Sequence, residues 1–115
     1  MDTPEYFVKA HPLVEKEDLP NIPSTLRQDF DDIILTVLKV DPYELGGKMK
    51  GHVLRRPPLA GFRTIDLTLS RISYRLVYRI IESVKRVEVF SFDYHKPAYH
   101  KAEERVRNTT GYKEN

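Results

Sequence analysis

Arginine, histidine and tyrosine in the second half of the chain are the side chains best suited to chemistry. Arg75 lies in a segment of alternating apolar and polar residues, and His95 and Tyr99 follow in the next segments. A guanidinium binds phosphate through paired N–H donors and stabilises the charge that builds on phosphorus in a transition state. Histidine titrates at about pH 6.5 and can donate or accept a proton. This set fits metal-free RNA cleavage, which requires a base for the 2′-hydroxyl, a cation for the phosphate and an acid for the leaving 5′-oxygen.

Further basic side chains accompany this set. Arg79 lies two pleats from Arg75 on the same face of its strand, since side chains alternate between the faces. The candidate phosphate-binding residues are Lys48, Lys50, Arg63 and Arg79. Each residue also has an ordinary interpretation: an arginine on a solvated surface, a histidine in a loop, or a tyrosine that packs a helix onto a sheet.

Metal and cofactor sites are not indicated by the sequence. Asp93, His95 and His100 are the nearest approach to a ligand cluster, but their spacing matches no usual zinc pattern. Gly46-Gly47 lacks the Gly-Lys-Ser/Thr that completes a phosphate-binding loop. We therefore expect neither a metal nor a cofactor.

Charge is strongly segregated along the 115 residues. Residues 1–45 hold 4 basic and 10 acidic side chains, a net charge of −6, whereas residues 46–101 hold 12 basic and 4 acidic side chains, a net charge of +8. A basic block of this size attracts polyanions or an acidic protein. The alternative is a solvated basic face without a partner.

Composition predicts one soluble, cytoplasmic domain. There is no cysteine, no apolar run long enough to cross a bilayer and no signal-peptide pattern in the acidic first residues. The length suits a single domain over residues 1–107, with residues 108–115 as a flexible tail.

The first half of the chain predicts one strand and two helices. Residues 6–10 are rich in strand-forming side chains, and a short helix would run from Pro12 to about Leu19. A second helix would begin after Ser24 and end at Asp41-Pro42, because residues before proline avoid the helical region. Its apolar stripe is formed by Leu26, Phe30, Ile33 and Val37.

In the second half of the chain, apolar and polar side chains alternate with a period of two. Residues 65–69, 72–80 and 87–92 predict three strands, and Pro97 begins a last helix that ends near Arg107. The predicted fold is α+β: a small, mainly antiparallel sheet with two N-terminal helices on one face and a C-terminal helix. Tyr74, Leu76 and Tyr78 would meet the N-terminal helices, and the face with Arg75 and Arg79 would be open. The predicted core comprises Leu26, Phe30, Ile33, Val37, Leu76 and Tyr78.

These segments resemble the RelE/ParE superfamily of type II toxin–antitoxin systems over about residues 5–107. Residues 11–19, Ile22-Pro23 and Asp41-Pro42 resemble its two helices, and residues 48–51 and 59–63 resemble its glycine-marked entry to the sheet. Tyr74-Arg75-Leu76-Val77-Tyr78 resembles the family's YRLVY strand, and residues 92–105 resemble its C-terminal H…Y…A…R segment. The resemblance implies a ribosome-dependent mRNA endonuclease of the RelE-like branch, which a co-expressed antitoxin inhibits.

The same resemblance implies roles for three residues. Arg75 falls on the position of the phosphate-binding arginine, Tyr99 on that of the catalytic tyrosine, and His95 near that of a general acid or base. Several RelE-like enzymes carry lysines where this chain has Arg63 to Leu67, and Asp66 would repel a phosphate if it faced the cleft. The alternatives are a ParE-like inhibitor that binds DNA gyrase without a nuclease centre, and a degenerate member that binds only its antitoxin.

Overall fold

In the part of the chain that the structure describes, the sheet has five strands, one more than the sequence predicts. A computed structural model describes residues 5–47, 50–69 and 71–108. Its strands are β1 (Phe7–Ala10), β2 (Lys50–Val53), β3 (Arg63–Leu69), β4 (Ile72–Ile81) and β5 (Arg86–Tyr94). Their spatial order is β1-β5-β4-β3-β2; β1 runs parallel to β5 and every other pair is antiparallel. The predicted α+β class with a mainly antiparallel sheet is confirmed.

Two helical regions precede strands β2 to β5 in the chain, and one helix follows β5. A π-helical turn (Val14–Asp18) and a 3-10 turn (Leu19–Asn21) form the short first helix. The second is helical from 24 to 40 and consists of α1 (Ser24–Asp29), a π-helical stretch (Phe30–Leu35) and α2 (Thr36–Val40). The last helix, α3 (His95–Asn108), begins two residues before the predicted Pro97. None of the described helices is long and apolar enough to cross a membrane.

The N-terminal helices cover one face of the sheet, as predicted. Phe30 and Leu38 pack against Leu76, Tyr78 and neighbouring sheet residues in one buried cluster, where Val37 lies at the edge. The Tyr78 hydroxyl donates a hydrogen bond of 2.6 Å to the Pro42 carbonyl, which ties the end of the helical stretch to β4. Burial of this hydroxyl raises the pKa of Tyr78 to about 12. The side chains of Leu26 and Ile33, also predicted as core, lie outside the described residues.

The opposite face is not open, which corrects the prediction from the sequence. The loop between β2 and β3 and helix α3 cover it with a second apolar cluster, formed by Leu59, Phe62, Val77, Phe90, Ala98 and Ala102. A register shift opposite Val77 and Tyr78 brings Phe90 and Ser91 to this face together. The Ser91 hydroxyl then donates to the Ala98 carbonyl at 2.7 Å, which attaches α3 to β5. The small side chains of Ala98 and Ala102 allow this close approach.

An ion-pair network at the edge of β5 fixes the position of α3. The edge strand β1 pairs with β5 only as far as Ala10. The backbone groups in the later part of β5 therefore need other hydrogen-bond partners. Asp18 accepts the Phe92 backbone N–H at 2.9 Å, and Arg105 of α3 donates to the Phe90 carbonyl at 2.9 Å. Arg105 also bonds both carboxylate oxygens of Asp18, at 2.8 and 2.9 Å. The first helical turn, the sheet edge and α3 therefore meet at one buried pair.

Candidate catalytic site

Arg75 occupies a nearly buried position beneath α3. It is 8% exposed, and it lies on the β4 face that carries Val77. Its Nε donates a 2.6 Å hydrogen bond to Asp66 Oδ1, its direct neighbour on β3. Its guanidinium carbon lies 4.7 Å from the centre of the Tyr99 ring, and its Nη1 donates to the Tyr99 hydroxyl. The structure thus brings together two of the residues predicted from the sequence.

Tyr99 reaches Arg75 because contacts within one turn on either side of it fix α3 to the sheet. Ala98 is bonded to Ser91, and Lys101 bonds Asp93 at 2.5 Å and Asp18 at 3.0 Å. Burial opposes the charged form of Lys101, but the bonds to Asp93 and Asp18 outweigh it and raise the pKa of Lys101. Lys101 therefore stays a cation and holds the helix against the sheet.

His52 and Asp66 extend the site, and the sequence interpretation did not include His52. It lies on β2 opposite Thr64, and this register puts it on the same face as Asp66. The His52 Nε2 atom is 3.9 Å from Asp66 Oδ2, and its side chain is 62% exposed. A His–Asp pair next to an arginine is a recognisable chemical signal, but Lys50–Val53 had not been identified as a strand. Asp66 does face the cleft, the condition under which it was expected to repel phosphate.

Arg79 and Arg63 lie apart from this set. Arg79 is bound by Glu88, with Nη2 and Oε1 2.6 Å apart, and lies over the rings of Phe62 and Phe90. Its cation is already neutralised and packed. Arg63 shares a face with Ile65, toward the N-terminal helices, and its guanidinium lies 4.9 Å from the centre of the Tyr43 ring. Arg63, a candidate phosphate-binding residue, therefore lies on the sheet face opposite Arg75, because side chains alternate between the faces of β3.

Three further candidates are only partly described. Lys48 lies outside the described residues. The backbone of Lys50 pairs with Asp66 across β2 and β3, but its side chain lies outside the described residues. His95 is the first residue of α3, one turn before Tyr99, and its side chain likewise lies outside them. Their predicted roles stay predictions.

Two cavities border the Arg75–Tyr99 contact, one lined by Arg75 and the other by Tyr99. One of about 350 Å³ is lined by Asp66, Leu67, Thr68, Ser73, Tyr74 and Arg75. The other, of about 580 Å³, includes Tyr99 in its wall. Within residues 5–47, 50–69 and 71–108, no three histidine, aspartate or glutamate side chains are grouped as metal ligands. The arrangement supplies a cation, a phenol and an imidazole–carboxylate pair, connected through Arg75 and Asp66.

Solved structures of RelE toxins share this fold. No protein-family model and no curated protein sequence matches the chain. The toxin–antitoxin complex RelBE2 of Mycobacterium tuberculosis matches with a TM-score of 0.65 at 23% identity, covering 82% of this chain and 95% of that one. A mutant of the Escherichia coli toxin RelE in the free state matches with a TM-score of 0.63 at 23% identity, covering 89% and 98%. The chain therefore has the RelE fold, and the resemblance found in the sequence is confirmed at the level of the fold.

Proposed function

We propose that the protein is a toxin of a type II toxin–antitoxin system that cleaves mRNA on the ribosome. The contact between Arg75 and Tyr99 carries this proposal. It joins a phosphate-binding cation to a proton-bearing hydroxyl in a cleft, and β4 and α3 position both residues. The RelE fold supports it, as does the net charge of +8 over residues 46–101, which suits an RNA substrate.

The proposed reaction uses the substrate's own 2′-hydroxyl as nucleophile. As its oxygen attacks phosphorus, its proton passes to a base, and Arg75 stabilises the charge that accumulates on the phosphoryl oxygens. The bond from phosphorus to the 5′-oxygen breaks, and an acid protonates that oxygen. Tyr99, which contacts Arg75, and His52, which lies beside Asp66, supply the proton-transferring groups, and His95 remains a predicted third. The products are a 2′,3′-cyclic phosphate and a 5′-hydroxyl.

The test is translation of a defined message in a purified system, followed by mapping of the RNA ends. The substitution Arg75→Ala removes the guanidinium and should slow cleavage by about 10²–10³-fold. Tyr99→Phe, His52→Asn and His95→Asn each test a proton-transferring group, whose loss slows a reaction by about 10²–10⁴-fold. His11→Asn is the matched histidine control, because His11 lies in the loop after β1, where its Nδ1 accepts the Leu13 backbone N–H and its ring packs against Phe90.

The chemistry of the ends separates this reaction from other nucleases. Cyclic phosphate ends that vanish with Arg75→Ala support the proposal. Full cleavage by the Arg75→Ala, Tyr99→Phe and His52→Asn proteins, or ends that carry a 5′-phosphate, contradicts it. Circular dichroism and urea unfolding of each variant check that a lost activity is not a lost fold.

A ParE-like inhibitor of DNA gyrase is the second candidate, and one observation favours it. Asp66 already occupies Arg75 Nε at 2.6 Å, so a phosphate must bind beside a carboxylate that repels it. An inhibitor that binds gyrase needs no free cation there. Inhibition of purified gyrase by the wild-type protein, with intact mRNA in the translation assay, would establish this candidate in place of the nuclease.

The proposed partner is an acidic antitoxin. RelBE2 of M. tuberculosis and RelBE of E. coli are complexes of a toxin with an antitoxin. In this chain the acidic residues are concentrated in the N-terminal helices and the basic ones after residue 45. An acidic segment on the basic region would neutralise it and add apolar contacts.

A further inference from the structure

Positive charge without an acidic partner is concentrated around one cavity. The four acidic residues between positions 46 and 101 all form ion pairs: Asp66 with Arg75, Glu82 with Lys85, Glu88 with Arg79 and Arg86, and Asp93 with Lys101. Among the basic side chains of that segment that the structure describes, those without an ion pair are Arg55, Arg56, Arg63, Arg71 and Lys96. Three of these five line the cavity of about 580 Å³.

This cavity combines cations with an apolar wall. Leu59 belongs to the apolar cluster under α3, and Leu54 packs against that cluster. Together the two leucines form the apolar wall of the cavity. Arg55, Arg56, Lys96 and His100 surround it as exposed side chains, together with one acid, Glu103. Tyr99 is also part of the lining, so the cavity opens directly beside the Arg75–Tyr99 contact.

We propose that this cavity binds a nucleotide of the RNA strand next to the scissile phosphate. The proposal rests on the proposed function and gives it a substrate-binding subsite. Ligand cavities have volumes of roughly 300–1,000 Å³, and an unstacked base binds on apolar side chains and on the plane of an arginine. The cations bind the phosphate that follows the base. A poly-glutamate chain would bind the cations but has no flat apolar group to lie against Leu54 and Leu59.

RNA binding, measured without cleavage, tests the subsite. A fluorescein-labelled 2′-O-methyl oligoribonucleotide is titrated with protein and followed by anisotropy. We expect Arg55→Glu with Arg56→Glu to weaken binding about tenfold or more. The control, Lys16→Glu with Arg27→Glu, makes the same change in net charge at exposed positions of the N-terminal helices, and it should weaken binding far less. Equal weakening by both pairs overturns the proposal, because it would show a general charge effect.

One further variant tests recognition of the base, and a competing peptide tests the kind of ligand. Arg55→Lys with Arg56→Lys keeps the charge but loses the planar group, so binding should recover only in part. Full recovery of the RNA affinity would contradict the proposal that the planar arginine groups bind a base. A poly-glutamate peptide should compete weakly with RNA at this site. If it binds more tightly than RNA and depends on the same two arginines, the occupant is an acidic peptide and the proposal fails.

The cleavage assay separates failure of the subsite from failure of the proposed function. If the wild-type protein cuts message, and the pair Arg55→Glu and Arg56→Glu changes neither RNA affinity nor cleavage, the subsite is refuted and the nuclease stands. If the wild-type protein cuts nothing but binds RNA through Arg55 and Arg56, the nuclease fails and the nucleotide site stands. Unchanged urea unfolding of the variants shows that the fold is intact.

Discussion

Asp18 and Arg105, which are 87 positions apart, form a bidentate ion pair in the interior of the protein. The Asp18 side chain is 0% exposed and that of Arg105 is 2% exposed. Burial opposes the charge of Arg105, but the bonds to Asp18 outweigh it and raise the pKa of Arg105. The pair connects the first helical turn to α3, so it supports the placement of Tyr99 over Arg75.

Removing one partner of this pair should destabilise the protein strongly. Asp18→Asn removes the buried bidentate counter-ion of Arg105 and leaves it the exposed Glu17 carboxylate at 3.3 Å. Breaking a buried ion pair in this way typically costs about 3–5 kcal/mol in the free energy of unfolding. Urea unfolding measures this loss. Asp31→Asn, an exposed aspartate in the π-helical stretch, is the matched control and should change stability little. A loss below about 1 kcal/mol for Asp18→Asn would contradict the assigned role.

Phe30 should be a major contributor to the core on the helix-covered face. It is 2% exposed, and its ring centre lies 4.9 Å from that of Phe92. Phe30→Ala should lower the free energy of unfolding by about 3–5 kcal/mol, because it removes buried surface and leaves a cavity. Phe7→Ala is the control, since Phe7 is 64% exposed on β1. Similar urea midpoints for the two variants would show that the buried face has been assigned incorrectly.

The sequence predicts the helix-covered half of the fold because its signals are periodic. Alternation at Tyr74, Leu76 and Tyr78 identifies one buried face of β4, and all three are in the core. The same alternation does not reveal that α3 covers the other face. That depends on Ala98 and Ala102 meeting Val77, a contact between distant segments. A small side chain carries no local signal of what it packs against.

The site is predicted in part for a similar reason. Arg75 and Tyr99 are chemically conspicuous, and the structure joins them. The bond between Arg75 and Asp66 depends on the register of β3 and β4, where the turn after Leu69 includes Arg71 with a left-handed backbone (φ 69°). A shift by one residue would send Asp66 to the other face. His52 was missed because β2 is only four residues long and contains a glycine.

Asp66 should restrain RNA binding at the proposed site. Asp66→Asn keeps an oxygen that accepts from Arg75 Nε but removes the negative charge beside the phosphate position. The affinity for a 2′-O-methyl oligoribonucleotide should rise by about threefold to tenfold, consistent with a Coulomb energy near 1 kcal/mol in a solvated cleft. Glu44→Gln, in the exposed loop after α2, removes the same charge and should have a smaller effect. Weaker binding by Asp66→Asn would indicate that Asp66 mainly positions Arg75.

His11 should make the protein less stable below neutral pH. It is 5% exposed, and its Nδ1 accepts the Leu13 backbone N–H at 3.1 Å. Burial and the nearby Arg105 cation lower the pKa of His11, although Asp18 and Glu88 act in the opposite direction. In the unfolded chain the group titrates near 6.5. The unfolded state therefore binds the proton first as pH falls, and folding stability decreases from about pH 6.5 downward.

Urea unfolding between pH 7.5 and 5.5 measures this dependence. His11→Asn, which keeps an acceptor for Leu13, should remove the part of the decrease that belongs to His11. His100→Asn, on the exposed side of α3, should retain it. Identical pH profiles for the wild-type and His11→Asn proteins would exclude His11 as the source.

Association with the proposed antitoxin should depend strongly on salt. The basic segment from 46 to 101 creates a long-range field, and much of its unpaired charge lies around Arg55, Arg56 and Lys96. Raising ionic strength screens such a field beyond roughly 8–10 Å. Stopped-flow mixing with the co-expressed antitoxin should show an association rate that falls steeply with salt and a dissociation rate that changes much less. The pair Arg55→Glu and Arg56→Glu should slow association at low salt, and Lys16→Glu with Arg27→Glu should slow it far less. A salt-independent association rate, with protection from hydrogen exchange confined to residues 14–40, would place the antitoxin on the acidic helices instead.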